Sequence, residues 1–321
     1  MPAKHTRALA AFAVGATLAL PSLAEYPERP VTIIAPYGAG GSSDVLGRVL
    51  AERLSEALGG SVIVENRPGA GSRVGTEAVA RAAADGYTLL LADMPFAIVP
   101  NIHADAAYSV DDFVAIGQIG VAPMILFARP DFDGDSVGDV VAAAGVEPEA
   151  LLIGSGGIGA TTHMMAELFQ RAVGVELLHV PFEGAGPALQ GLAGSQVDIA
   201  FSTYPTAASL LQAGSIRVIG VAADERLELL PDVETFAEAG HDLSVEHWWG
   251  LLAPAGTPDA VVETLRTALQ GVLTQDQVAE RMAQLSVQPG ALDPDAFQAF
   301  LASESDRWSA IIEEAGISID Q

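Results

Sequence analysis

Hydrophobic positions along the chain change period repeatedly, and each change marks an element. Val31 to Ala35 is a short β-branched run and predicts a strand. Past a glycine-rich turn, Val45, Leu46, Val49, Leu50, Leu54 and Leu58 recur at helical spacing until Gly59-Gly60 stops them. Val62 to Glu65 predicts a second strand, Asn66-Arg67-Pro68-Gly69 a turn, and residues 74–84 a helix. Asp85-Gly86 turns the chain into a strand over Tyr87 to Ala92. Val114 to Ile119 and Met124 to Ala128 read as two strands divided by a kink near Pro123. The pattern then restarts with a strand over Leu151 to Ile153, a second glycine-rich loop and a helix over residues 160–172. Leu177 to Val180, Val197 to Phe201 and Arg217 to Ala222 predict further strands with helical segments between them. His247 to Leu252 predicts the last strand, and residues 259–273, 275–284 and 295–315 predict helices.

Strands alternating with helices through short loops predict an α/β fold with mostly parallel sheets flanked by helices. Two similar strand–glycine-loop–helix units, beginning near residues 31 and 151, predict two lobes. The 321 residues suit two domains at a soft prior of roughly 150 residues each. The second lobe is expected over residues 123–226. The first is then discontinuous, built from 25–122 and 227–321, and the chain crosses between them on two hinge strands.

Composition is most informative at the N-terminus. Lys4, His5 and Arg7 precede an uncharged, mostly apolar run from Ala8 to Leu20, then Pro21 and Ser22-Leu23-Ala24. This is the pattern of a secretory signal peptide, residues 1–24, with cleavage expected after Ala24. The run is shorter than the roughly 20 residues that span a bilayer. The expected destination is the periplasm.

The chain holds 15 basic and 41 acidic residues, a net charge of −26. Removing residues 1–24 takes away Lys4 and Arg7 and no acid, which leaves 13 basic against 41 acidic residues, or −28. Such a surface argues against nucleic acid and anionic membrane as partners. It is expected either simply to keep the protein soluble or to suit a high-salt habitat, where screening relieves self-repulsion. With no cysteine there is no disulfide, thiolate metal site, cysteine nucleophile or lipid anchor on an N-terminal Cys.

The candidate chemistry sits in the two glycine loops. Loop one is Tyr37-Gly38-Ala39-Gly40-Gly41-Ser42-Ser43-Asp44, and loop two is Gly154-Ser155-Gly156-Gly157-Ile158-Gly159-Ala160-Thr161-Thr162-His163. Each joins a strand to a helix. Glycines allow close backbone approach, the helix start adds partial positive charge, and hydroxyls supply directed donors. Each loop can therefore seat an oxyanion without Arg or Lys. One such loop reads equally as a tight βα turn; two at equivalent places point to a shared ligand. His163, in the first turn of its helix, is expected to face that ligand.

Residues 154–159 also spell G-x-G-x-x-G, with Glu176 about twenty residues on. That fingerprint raises the alternative of an exported NAD-dependent dehydrogenase. Against it, the same spacing serves any anion at a helix start, and Glu176 would begin its strand, whereas the ribose-binding acid ends one. No H-E-x-x-H or Walker A motif occurs, and His103, His163, His179, His241 and His247 lack close metal-ligand spacing. No catalytic residue, metal or cofactor is expected.

Motifs along the chain now become recognisable. Tyr26 to Val31 reads YPERPV, Pro36 to Asp44 PYGAGGSSD, Glu65 to Gly71 ENRPGAG and Asp85 to Leu91 DGYTLLL. Loop two ends in His163 and leads to Glu167-Leu168-Phe169. Val180-Pro181-Phe182, Pro231-Asp232-Val233, Glu238-Ala239-Gly240 and Trp249 to Pro258 (WGLLAPAGTP) follow in order. These resemble the Bug family, the extracytoplasmic binding proteins of tripartite tricarboxylate transporters. The resemblance implies a two-lobed periplasmic-binding-protein fold of type II character. It implies a small di- or tricarboxylate bound in the cleft, delivery to two different membrane permease subunits, and a monomeric binder that is not an enzyme; a binding protein that serves a membrane sensor instead of a permease is the alternative. It also implies that Tyr37 to Asp44 works with the strand end Asp93, Met94 and Phe96, and Ser155 to His163 with Phe182, Ser202, Thr203 and Tyr204.

The sequence departs from the family pattern at three places. Ser202-Thr203 stands where members often carry Asp-Asn. Glu183 follows the aromatic, where a basic residue is common. The loop after Leu91 carries Asp93 and Phe96. Asp93 or Glu183 could receive a cationic group, as of an amino acid, or both could face solvent; for Glu183 solvent is the expectation. Binding is expected to close the hinge, because only the closed state contacts the ligand from both lobes. Gly156→Asp is expected to abolish binding with little unfolding.

Overall fold

The computed structural model describes residues 26–103 and 105–315. The expected signal peptide lies outside them. Strand β1 (Val31–Ala35) pairs in parallel with β2 (Val62–Asn66) and β3 (Thr88–Asp93). Helix α1 (Ser42–Leu58) follows β1 and ends where Gly59 takes φ 66°, with its N–H on Glu56 O. That left-handed cap is the physical meaning of the Gly59-Gly60 stop. Helix α2 (Arg73–Ala80) and helix α3 (Pro95–Ile102) complete this unit.

The second unit repeats the plan. Strand β5 (Leu152–Ser155) pairs in parallel with β6 (Leu178–Pro181) and β7 (Ile199–Ser202). Helix α5 (Thr161–Val173) follows β5 and ends at Gly174, φ 72°. Helices α6 (Ala185–Ala193) and α7 (Tyr204–Gln212) follow β6 and β7. Helix α4 (Val137–Ala144) precedes β5, and β8 (Arg217–Ala222) comes after α7.

The two strands expected around Pro123 are one. Strand β4 runs from Phe113 to Ala128 without a break. Its first part lies antiparallel to β9 (Glu246–Pro254) and touches the short β10 (Gln288–Pro289); its last part lies between β7 and β8, again antiparallel. Ala122 faces His247 and Pro123 faces Glu246 across the pair, and β3 joins β9 at Asp93↔Trp249. Pro123, which has no N–H to donate, stands where the strand changes partners, a place where a missing donor interrupts little. Each parallel three-stranded core thus acquires antiparallel neighbours from long-range returns, and β4 links all ten strands.

Both sheet faces are covered, which explains why the strands read as continuous apolar runs rather than alternating ones. Ile33, Leu89, Leu91 and Trp249 face Leu46, Leu50 and Leu54 of α1 and Leu265 and Leu269 of α8 (Asp259–Leu273). Their neighbours Ile34, Leu90 and Trp248 point the other way, into a core shared with Met124, Leu126, Phe169 and Trp308. Ile125 and Phe127 pack on Leu189 and Leu192 of α6. Helices α9 (Asp276–Gln284) and α10 (Pro294–Ala315) end the fold. Buried Glu304 of α10 accepts from both Trp248 Nε1 at 3.1 Å and Trp308 Nε1 at 3.3 Å.

The segment between β8 and β9 packs on the second sheet. Leu227, Leu230 and Val233 lie against the Ile125–Phe127 face. The Phe236 ring meets Phe169 at 5.8 Å and Phe201 at 6.0 Å.

Candidate functional site

The loops at the carboxyl ends of β1, β3, β5 and β7 converge on one crevice, the expected ligand position in an open α/β sheet. Between them lies a cavity with about 400 Å³ of empty space, counted to its opening. From the first sheet it is lined by Tyr37, Gly41, Ser42, Asp93 and His247, and from the second by Gly156, Ala160, Thr161, Thr162, Ala185, Ser202 and Thr203; Met124 lies between. A wider space of about 830 Å³ continues outward, bounded by Gly69 to Ser72, His103, Gly156 to Ile158 and Pro181 to Glu183.

The two halves touch around this space. A Cβ built on Gly186 of α6 would stand 3.2 Å from Ala39 O and from Gly41 N of loop one, and one on Gly71 would stand 2.3 Å from Ile158 O of loop two. The cleft is therefore closed; at Gly71, with φ 62°, no side chain fits without parting the halves, and at Gly186 a side chain larger than a methyl would press on loop one.

Gly41, Ala160 and Thr203 are the N-caps of α1, α5 and α7, and none uses a side chain to cap its helix. His163 N–H already donates to Ala160 O and Pro205 has no N–H to give, but the other N–H groups at these three helix starts are left for another acceptor, and the helix dipoles favour negative charge there. Among the described residues no Arg or Lys lines the cavity. Thr161 Oγ1, Ser202 Oγ and Thr203 Oγ1 are buried and have no hydrogen-bond partner. Buried hydroxyls are normally satisfied, so three together beside one cavity mark groups positioned for a ligand.

Among the described residues Asp93 is the one acid in the cavity. Its Oδ1 accepts from Tyr37 OH at 2.9 Å, and Ser43 Oγ lies 3.5 Å from Oδ2. Burial outweighs both donors and pushes its carboxyl up to about 7. Burial, and then the adjoining Asp93 charge, raise the Tyr37 phenol well above its ordinary range, which keeps it a donor. His247 Nε2 stands 3.7 Å from Asp93 Oδ2. That separation is within ion-pair reach but too long for a hydrogen bond, and burial holds the imidazole down at about 3, so at neutral pH it is uncharged and no ion pair forms. Both ring nitrogens of His247 are buried and without a partner.

Of the residues expected from sequence, Tyr37, Gly41, Ser42, Asp93, Gly156, Ala160, Thr161, Thr162, Ser202 and Thr203 meet at the cavity, and Gly157, Ile158 and Phe182 line its mouth. The others brace it. Gly40 N–H donates to Asp44 Oδ2 at 3.0 Å, and Arg48 holds the same carboxylate at 2.7 Å. Gly38 and Ala39 pack against residues 183–187, and Ser43 sits behind Asp93. His163, expected to face the ligand, turns away: its Nδ1 accepts from Gly159 N–H at 3.3 Å and its ring stacks on His179 at 4.5 Å. Burial, with the neighbouring His179, lowers it to about 4 and keeps it a neutral acceptor. Ser155 Oγ is bound to His179 Nε2 at 2.6 Å, and Gly159 packs near Ile102.

Met94 and Phe96 are core residues; the Phe96 ring, at the start of α3, packs on Tyr108 and Phe113. Tyr204 packs on the hydrophobic face shared by α6 and α7. Glu183 is exposed at the mouth, as expected. A Cβ on Gly156 would meet Ala185 N at 2.9 Å and Gly184 C at 3.0 Å within its own half. Gly156→Asp would therefore disturb loop two itself and is no clean test of binding.

Met124, Ala185 and His247 were not foreseen. His247 heads an apolar strand, and a polar residue there was the one available signal. Glu176, the candidate ribose ligand of the dehydrogenase reading, is exposed ahead of β6, at the opposite end of the sheet from loop two.

A family model described as the tripartite tricarboxylate transporter family receptor matches residues 46–317. The chain is similar to the protein BugT of Bordetella pertussis, 33% identical over 313 residues that cover 96% of each chain. Among solved structures it resembles the periplasmic binding protein BugD, with a TM-score of 0.88, 34% identity and coverage of 91% of this chain and 99% of that one. It also resembles MatC of Rhodopseudomonas palustris with bound malate, with a TM-score of 0.85, 30% identity and coverage of 89% and 100%.

Proposed function

The chain belongs to the tripartite tricarboxylate transporter receptor family, a family of solute-binding proteins, and on that premise we propose that it captures a small organic acid in the closed cleft and presents it to the two membrane subunits of such a transporter. The observation that carries this reading is the cavity itself: three helix N-termini and three unpartnered hydroxyls face one space that, among the described residues, no Arg or Lys enters. Such a site offers donors from several helix ends and suits a carboxylate, whose oxygens accept several hydrogen bonds at once. The malate in MatC supports the same ligand class. A few charge-assisted hydrogen bonds at roughly 1.5–3 kcal/mol each reach micromolar affinity after ordering losses.

In this reading the chain acts as a monomer in the periplasm, and it binds without catalysis. The dehydrogenase alternative loses ground because Glu176 stands at the wrong end of its strand and loop two closes on the opposite half. We place the hinge where β4 and β9 run side by side, at Ala122–Met124 and Val245–His247. Residues 227–245, first assigned to lobe one, then belong with 123–226, because Leu227, Leu230, Val233 and Phe236 pack there.

The test is calorimetry and thermal shift over di- and tricarboxylates. A ligand at a hundred times its Kd should stabilise the protein by about 2.7 kcal/mol. No response to any carboxylate, or NAD retained by the purified protein, would refute the reading.

A further inference from the structure

Asp93 is out of place in a carboxylate site. It is 4% exposed and lines the cavity, and among the described residues no Arg or Lys approaches it. A buried carboxylate without a cation is strongly disfavoured, and the remedies are a proton or a partner. The groups around it are Tyr37 from loop one, Ser43 from α1 and His247 from β9, with Tyr108 at longer range. From the opposite half the cavity receives Gly156, Ala160, Thr161, Thr162, Ser202 and Thr203, none of which titrates. Tyr37 and Ser43 donate to the ionised form and orient it; neither neutralises it. His247 adds two unpartnered nitrogens beside the same oxygen, and a neutral imidazole can offer one of them as an acceptor. One wall of the cavity is thus acceptor-rich, while the other walls carry helix-end donors.

We propose that Asp93, oriented by Tyr37 and Ser43 and faced by His247, is a subsite for a ligand's ammonium group, so that the ligand is a zwitterionic amino acid with its carboxylate on the helix-end donors. This rests on the carboxylate reading above and narrows it. The rival outcome is a protonated Asp93 that donates to a second carboxyl of a plain acid.

The probes are matched pairs: succinate against L-aspartate, and glutarate against L-glutamate. Titration calorimetry at pH 7.5 with the purified protein should find the amino acid of a pair bound at least about tenfold more tightly than its plain partner, the weight of one charged hydrogen bond. Asp93→Asn should weaken the amino acid by about ten- to a hundredfold, and by at least about tenfold more than it changes the plain acid. Plain acids binding as well as their aminated partners, or Asp93→Asn weakening both alike, would overturn the subsite. Binding of no acid at all would overturn the carboxylate reading itself, a result distinct from either.

A readout without any variant guards against a misfolded mutant. With Asp93 near 7, a cationic ligand must displace its proton. At pH 6.5 an amino acid should release about 0.8 proton per molecule bound, read from heats in buffers of different ionisation enthalpy. Absence of release, or uptake, sinks the proposal.

Discussion

His247→Gln should change how stability depends on pH, and in a direction that tests the buried pair. Burial moves Asp93 from an ordinary 3.8 to about 7 and His247 from 6.5 to about 3. For Asp93 the folded state holds a proton between about pH 4 and 7 that the unfolded state has lost, so unfolding free energy falls as pH rises, by about 1.4 kcal/mol per unit. For His247 the unfolded state holds the extra proton between about pH 3 and 6.5, so unfolding free energy rises with pH by the same slope. Over the full windows the terms amount to about 4 and about 5 kcal/mol, and between pH 4 and 6.5 they cancel. Removing the imidazole exposes the Asp93 slope. Relative to wild type, His247→Gln should become more stable on acidification from pH 6.5 to 5, by roughly 2 kcal/mol. Asp93→Asn should lose roughly 2 kcal/mol over the same range. Urea unfolding of ligand-free protein followed by tryptophan fluorescence reads both, since exposed carboxylates contribute equally to all three proteins. Curves parallel to wild type would refute the burial argument. Slopes of the opposite sign would mean that the pair is a charged imidazolium–carboxylate in the folded protein.

Other consequences follow from single contacts. Gly186→Leu, which sets a side chain against Ala39 and Gly41 across the cleft, should block closure: the ligand-induced rise in Tm disappears, while ligand-free stability is unchanged or up to about 1 kcal/mol higher, because leucine is the better helix residue. Thr203→Val removes a hydroxyl that bonds nothing in the protein, so unfolding free energy should stay within about 0.5 kcal/mol and ligand affinity fall by about tenfold by calorimetry. Glu304→Ala leaves two buried indole N–H groups without an acceptor and should lower unfolding free energy by about 2–4 kcal/mol in urea, with no change in ligand preference. A thermal shift retained in Gly186→Leu, or a large loss of stability in Thr203→Val, would contradict the corresponding contact.

Much of the fold is written locally. The helix over residues 259–273 follows its apolar period to the residue, and α1 and α5 stop at glycines that take left-handed φ. Helix α3 was missed for a physical reason: Pro95 to Val99 are buried on all sides, so no amphipathic period exists, and Pro95 and Pro100 read as breaks. Helix α4 was passed over although Ser136 and Asp139 form a capping box at its start. The kink assigned to Pro123 was a strand changing sheets, which no local rule distinguishes from a strand ending.

The opening feature of the sequence, two strand–glycine-loop–helix units, determined the α/β class and supplied most of the cavity wall, because backbone freedom, helix-end charge and hydroxyl donors are properties of a few adjacent residues. Asp93 was visible as an oddity in the same way. What it faces was decided only by tertiary structure. The antiparallel return of β9, with Asp93 opposite Trp249 and Ala122 opposite His247, brings a histidine from 154 residues away beside that carboxylate. Both are buried in the folded chain, and that burial, which no local pattern encodes, sets their protonation and makes the pair an acceptor wall.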